Sequence, residues 1–176
     1  MTPFQDMVNE TLVRFISVFI KMVATIVLSA GSLYFGMGLL DRLTTEIEEW
    51  KEVKKGNVAV ALLYVSVLIS MMLLILPRIE EFVYYIDLGS GLPLAALALT
   101  FLNFLLALPV SIAIIWLTIH VIDRLTGDVS EMAELKKGNV AMSLVFSASI
   151  LLVSFAATIP MDSLFTLVKS IELMYV

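Results

Sequence analysis

A 22-residue stretch occurs twice in this chain, and the spacing of the copies constrains the fold more than any other feature. Asp41 to Leu62 reads DRLTTEIEEWKEVKKGNVAVAL, and Asp123 to Leu144 reads DRLTGDVSEMAELKKGNVAMSL. The offset is 123 − 41 = 82 residues with no gap, and 13 of the 22 positions are identical. Such a chain is two copies of one unit, and both copies face the same burial problem.

The surroundings of each copy say which solvent that problem is posed in. Hydrophobic residues make up 60% of the 176 residues and the mean hydropathy is +1.01, against about 45–50% apolar residues in a soluble domain. That composition fits a polytopic membrane protein. Four apolar stretches are long enough to cross a hydrocarbon core, at about residues 15–40, 57–76, 93–122 and 139–159.

The expected fold is therefore all-α, with four transmembrane helices arranged as two parallel two-helix repeats joined by amphipathic interfacial connectors. The first repeat takes residues 1–91 and the second 92–176. Each runs as long span, polar connector (41–56 or 123–138), short span, proline and amphipathic outer segment. Pro77 and Pro160 are expected to stop the second and fourth spans, because a proline removes a helix donor and clashes with the preceding turn. Residues 78–88 and 161–174 then read as separate outer interfacial helices. Before the first span, Phe4, Val8, Leu12 and Phe15 recur at helical spacing, an amphipathic lead-in that lies at the interface or runs straight on.

Orientation follows from counting. Two spans per repeat is even, so both copies enter the membrane in the same direction and both connectors lie on one side. Arg42, Lys51, Lys54, Lys55, Arg124, Lys136 and Lys137 sit in them, seven of the eleven Lys and Arg. The positive-inside rule places the connectors in the cytoplasm and both termini outside.

The connectors explain most of their own conservation between copies. Leu43, Ile47, Trp50 and Val53 share a helical face opposite Glu46, Glu48, Glu49 and Glu52, and the second copy repeats the pattern with Leu125, Val129, Met132 and Leu135 opposite Asp128, Glu131 and Glu134. This is an amphipathic interfacial helix. Lysines in its last turn suit the negative end of the helix dipole. Gly56 and Gly138 suit the left-handed residue that ends a helix, and Asn57 and Asn139 suit the N-cap of the next. Asp41-Arg42 and Asp123-Arg124, where the long spans leave the membrane, read as interfacial ion pairs that set the connector angle. A sharper reading brings Lys54, Asn57, Lys136 and Asn139 together around a pseudo-twofold as an anion or lipid-headgroup site, since helix N-termini attract anions.

A helical connector running into Lys-x-x-Asn-x-Ala at the head of a span, present twice in a four-span chain, resembles the bacterial and archaeal inner-membrane family called domain of unknown function 350. The matching residues are Lys54, Asn57 and Ala59, then Lys136, Asn139 and Ala141. The resemblance covers essentially the whole chain and implies the fold and an inner-membrane location. It lends no activity.

Few other side chains are chemically suggestive. There is no cysteine and one histidine, so disulfides, thiolate chemistry and a cysteine- or histidine-cluster metal site are not expected. No basic stripe argues for nucleic acid, and the spans assemble no acid, base and nucleophile, so the chain reads as a non-enzyme without cofactor. Lys21 lies 20 residues before Asp41, ~30 Å of helix, and is expected to snorkel at the opposite interface. Asn103 occupies the same repeat position in the third span, and His120 reads as a hydrogen-bonded interfacial residue. Ser32 and Gly36, with Ala30, Gly31 and Gly38 near them, mark a helix-packing face. The function that fits best is a dimeric channel or transport-like protein. The alternative is a non-catalytic scaffold that binds a soluble cytoplasmic partner through its acidic connector faces.

Overall fold

The computed structural model describes residues 3–43, 49–86, 94–126 and 131–172, with side chains over 7–38, 50–86, 94–124 and 133–166. Six helices follow in order: α1 Pro3–Leu43, α2 Glu49–Lys54, α3 Val58–Tyr84, α4 Leu94–Thr126, α5 Glu131–Lys136 and α6 Val140–Glu172. No strand occurs among the described residues. Four of the helices, α1, α3, α4 and α6, are long and apolar enough to span a bilayer. The chain is an integral, multi-pass membrane protein, because the apolar residues those helices expose have no other covering. Phe15, Val18, Leu152 and Ile159 are among them, all at least 65% exposed.

α3 is the central helix: it packs on α1, α4 and α6, and α6 is its most extensive partner. Its buried face carries Val60, Leu63, Met71, Leu74, Ile75 and Ile79. α4 meets it with Phe104, Ala107 and Ile115, and α6 with Phe146, Ile150 and Phe165. α1 is the most peripheral span. It is held at Ser32 and Gly36, both buried. The Met71 side chain lies where a Cβ on Gly36 would be, 1.8 Å from its Cε, so glycine here permits the close approach of α1 to α3. Gly31 and Gly38, predicted to belong to the same packing face, have nothing within 4 Å of a built Cβ.

Both prolines behave differently from expectation. α3 runs through Pro77 to Tyr84, and α6 runs through Pro160 to Glu172. The separate outer helices expected at 78–88 and 161–174 are, as far as they are described, the last turns of these two spans. The segments beyond the prolines pack on each other, burying Ile79, Val83, Met161 and Phe165, and in an apolar medium breaking a helix would expose backbone groups that only the helix satisfies. The lead-in before the first span likewise continues into it as one 41-residue helix, α1. Only 49–54 and 131–136 are described as helix between the long spans; residues 44–48 and 127–130, and the side chains of Asp41, Arg42, Leu125, Glu131 and Met132, lie outside the described set.

Two side-chain contacts between the repeats tie α3 to α6. Ser143 Oγ donates to the Ala59 carbonyl at 2.5 Å near one end, and the Arg78 guanidinium pairs with the Asp162 carboxylate near the other. Both pairs are 84 residues apart (143 − 59 and 162 − 78), whereas the repeat is 82.

Candidate functional site

The two elbows are built alike. Gly56 and Gly138 have φ of 83° and 84°, the left-handed conformation that glycine adopts without steric cost. Around them the chain closes two Schellman motifs. Gly56 N–H donates to the Val53 carbonyl and Asn57 N–H to Glu52, at 3.0 and 3.1 Å; Gly138 and Asn139 do the same to Leu135 and Glu134. Each asparagine then accepts a backbone N–H in its Oδ1, from Val60 and from Met142, both at 3.2 Å. KKGN thus stops one helix and starts the next.

The asparagine amides separate the copies. Asn57 Nδ2 reaches across to α5 of the other repeat and donates to the carbonyls of Leu135 and Lys136, at 2.9 and 3.2 Å. Asn139 Nδ2 stays in its own elbow and donates to Glu134 at 3.2 Å. One side chain therefore caps two helices from different repeats, which joins the elbows at one end of the bundle.

Of the four residues expected to hold an anion, Asn57 and the end of α5 that contains Lys136 are brought together. The ammonium-bearing side chains of Lys54 and Lys136 are exposed. Carboxylates share the elbows with them. Lys55 donates to Glu52 and Lys137 to Glu134, each at 2.6 Å. These hydrogen bonds are the main reason that both carboxyls are held below the usual range; the Asn57 and Asn139 amides, and for Glu52 the nearby charge of Lys136, act in the same direction. Trp50 anchors α2 by packing its ring 5.5 Å from that of Tyr64, whose hydroxyl meets the Met37 sulfur of α1. Asp123 and Arg124 are exposed at the end of α4.

At the far end, Arg78 is the buried charge. It bonds Glu81 at 3.0 Å, pairs with Asp162 across the seam, and lies 5.0 Å from the Phe165 ring centroid. Lys21 lies at this end too: its ammonium donates to the Tyr84 carbonyl at 3.4 Å, where the α3 dipole is negative. His120 stacks on Trp116 with centroids 4.8 Å apart. Asn103 is buried and its Oδ1 has no hydrogen-bond partner.

Between the two ends runs a line of serines. Ser66 and Ser70 lie on α3, and Ser143, Ser147 and Ser154 on α6, all buried. Elsewhere in the spans the hydroxyls of Thr25, Ser32, Thr100, Ser111 and Thr118 bond back to the carbonyl four residues earlier, the ordinary way to hide a hydroxyl in a helix. Ser70, Ser147 and Ser154 do not, and their Oγ atoms have no partner. The serines of the fourth span went unremarked in the sequence, although their spacing of i, i+4 and i+11 puts them on one face. Which face was not legible there.

A family model, Domain of Unknown Function (DUF350), matches the chain twice, over residues 14–102 and 94–171. The chain belongs to this family. Each match takes in one elbow and the spans on either side of it, and the two overlap over residues 94–102. No curated protein and no solved structure matches the chain.

Proposed function

We propose that this DUF350 protein is a dimeric channel or transport-like protein of the plasma (inner) membrane, whose solute path follows the seam between α3 and α6. The observation that carries this reading is the run of polar groups along that seam. It leads from Asn57 and Ser143, past Ser147, Ser70 and Ser154 with unpartnered hydroxyls, to Arg78 and Asp162. An apolar medium penalises an unbonded hydroxyl by about 1–3 kcal/mol, and a purely structural helix pair would be more stable with alanine at those positions. The elbows face the cytoplasm in this reading, in keeping with their lysines, and act as the joint between repeats. The asparagine donors at the elbow are already committed to helix carbonyls and to Glu134, which favours the seam over the elbow as the solute site.

Flux assays on proteoliposomes test this. The protein should raise the permeability for at least one small solute above that of empty liposomes, and Lys54→Ala/Lys136→Ala should leave that permeability within about twofold. Absence of flux for anions, cations, protons and neutral solutes alike, with co-purification of a soluble protein, would favour a scaffold instead.

The dimer is proposed to form through α6. Ala141, Ala148 and Ala156 are exposed on it, while their repeat equivalents on α3, Ala59, Ser66 and Leu74, are buried by neighbouring helices. Small residues at this spacing allow close helix approach. The chain has no native cysteine, so Ala148→Cys gives a clean reading: oxidative cross-linking to a covalent dimer in membranes is expected, and a monomer throughout would exclude an α6–α6 contact.

A further inference from the structure

Two of the unpartnered hydroxyls, those of Ser70 on α3 and Ser154 on α6, face one seam. Ser70 lies 11 residues beyond Ala59, and Ser154 lies 11 residues beyond Ser143, about three helical turns in each case. Ser143 Oγ is hydrogen-bonded to the Ala59 carbonyl, so Ser70 and Ser154 face the same seam within about one helical turn of each other. The Arg78–Asp162 pair, 8 residues further along both helices, keeps the same offset of 84. Both serines are fully buried, at 0% exposure, and neither hydroxyl bonds the other, its own helix or any neighbour. They lie ~20 Å of helix from Asn57 and ~12 Å from Arg78, within the hydrocarbon layer.

We propose that Ser70 and Ser154 form a binding site for a small, uncharged solute that both donates and accepts hydrogen bonds, such as water, urea or a short polyol. This rests on reading the seam as a solute path. Two hydroxyls, each able to donate and accept, match a neutral molecule of that kind, and Ser147, seven residues before Ser154 on the same face, offers a third contact on the elbow side. A bare ion is a poor match. From Asn57 to Pro77 and from Asn139 to Met161 the two helices hold no Asp, Glu, Lys, Arg or His. Ion pathways replace the hydration shell with rings of carbonyls or charged side chains, and here the helical carbonyls, apart from the two that face Pro77 and Pro160, have donors within the helices.

Stopped-flow measurements on proteoliposomes with osmotic shocks of sucrose (for water), urea and glycerol, alongside potassium and chloride flux, provide the test. The unaltered protein should pass at least one of the neutral solutes and neither ion. Ser70→Ala/Ser154→Ala should lower that permeability at least tenfold without lowering the melting temperature in detergent, because alanine removes hydroxyls that lack partners. Ser111→Ala, whose hydroxyl is engaged by the Ala107 carbonyl, should leave it unchanged. Equal neutral-solute permeability in the double variant and the unaltered protein would overturn the site while leaving the path intact. Potassium or chloride flux abolished by the double variant, with neutral solutes excluded, would overturn the solute class. An unaltered protein that passes nothing would overturn the path itself, and the site with it.

Discussion

Arg78→Ala is expected to lower the stability of the folded protein by about 2–4 kcal/mol, the largest effect of any single substitution considered. Removing one partner of a buried ion pair typically costs about 3–5 kcal/mol. The figure is reduced here because the Asp162 side chain is 56% exposed and water compensates part of the loss. Three contacts disappear together: the pair with Asp162, the bond to Glu81 and the stacking on Phe165. Since Arg78 and Asp162 belong to different repeats, the substitution loosens the end of the seam beyond the prolines. Unfolding in mixed micelles checks this. Asp162→Asn alone should cost about 1 kcal/mol, in line with a partly exposed pair, and the double variant should be less destabilised than the sum of the singles. Strict additivity would mean that the two side chains do not interact across the seam.

The second large effect is a difference between two residues that the sequence presents as equivalents. Asn139→Ala should cost about 1 kcal/mol, the usual worth of an N-cap. Asn57→Ala should cost about 2–3 kcal/mol, because it also removes the donors on the Leu135 and Lys136 carbonyls, each bond worth about 0.5–1.5 kcal/mol. Asn57→Asp separates the contributions. A carboxylate still accepts the Val60 N–H, but it cannot donate to α5, so only the cap should be restored. The same unfolding assay measures all three variants. Equal costs for Asn57→Ala and Asn139→Ala would show that the reach across repeats contributes nothing.

These two sites also mark how far the sequence could be read. The elbows were legible residue by residue, because KKGN is local physics: lysines at a negative helix end, a glycine where φ is positive, an asparagine that accepts the next helix's N–H. The four spans were legible because hydrophobic length alone defines them. The prolines were misread for a reason that is not local. Pro77 and Pro160 do remove backbone donors, but the helices continue because Met161, Phe165, Ile79 and Val83 pack beyond them and Arg78 meets Asp162. The burial of Arg78 was not legible for the same reason, since its partner is 84 positions away. The serines were visible as letters, and Ser66 and Ser70 stand out in an otherwise apolar span. Their state was not visible, because a helical serine normally satisfies itself on the preceding turn.

The sequence by itself determined the membrane class, the two parallel units, the elbow geometry and the common end on which both elbows lie. Those follow from composition, periodicity, residue-specific backbone preference and the parity of the spans. The tertiary structure alone decided how the units sit against each other. Ser143 donates to the Ala59 carbonyl and Arg78 pairs with Asp162, contacts between the repeats that no local pattern encodes. That packing makes Asn57 a bridge where Asn139 stays within its own elbow, and it buries Ser70 and Ser154 without partners.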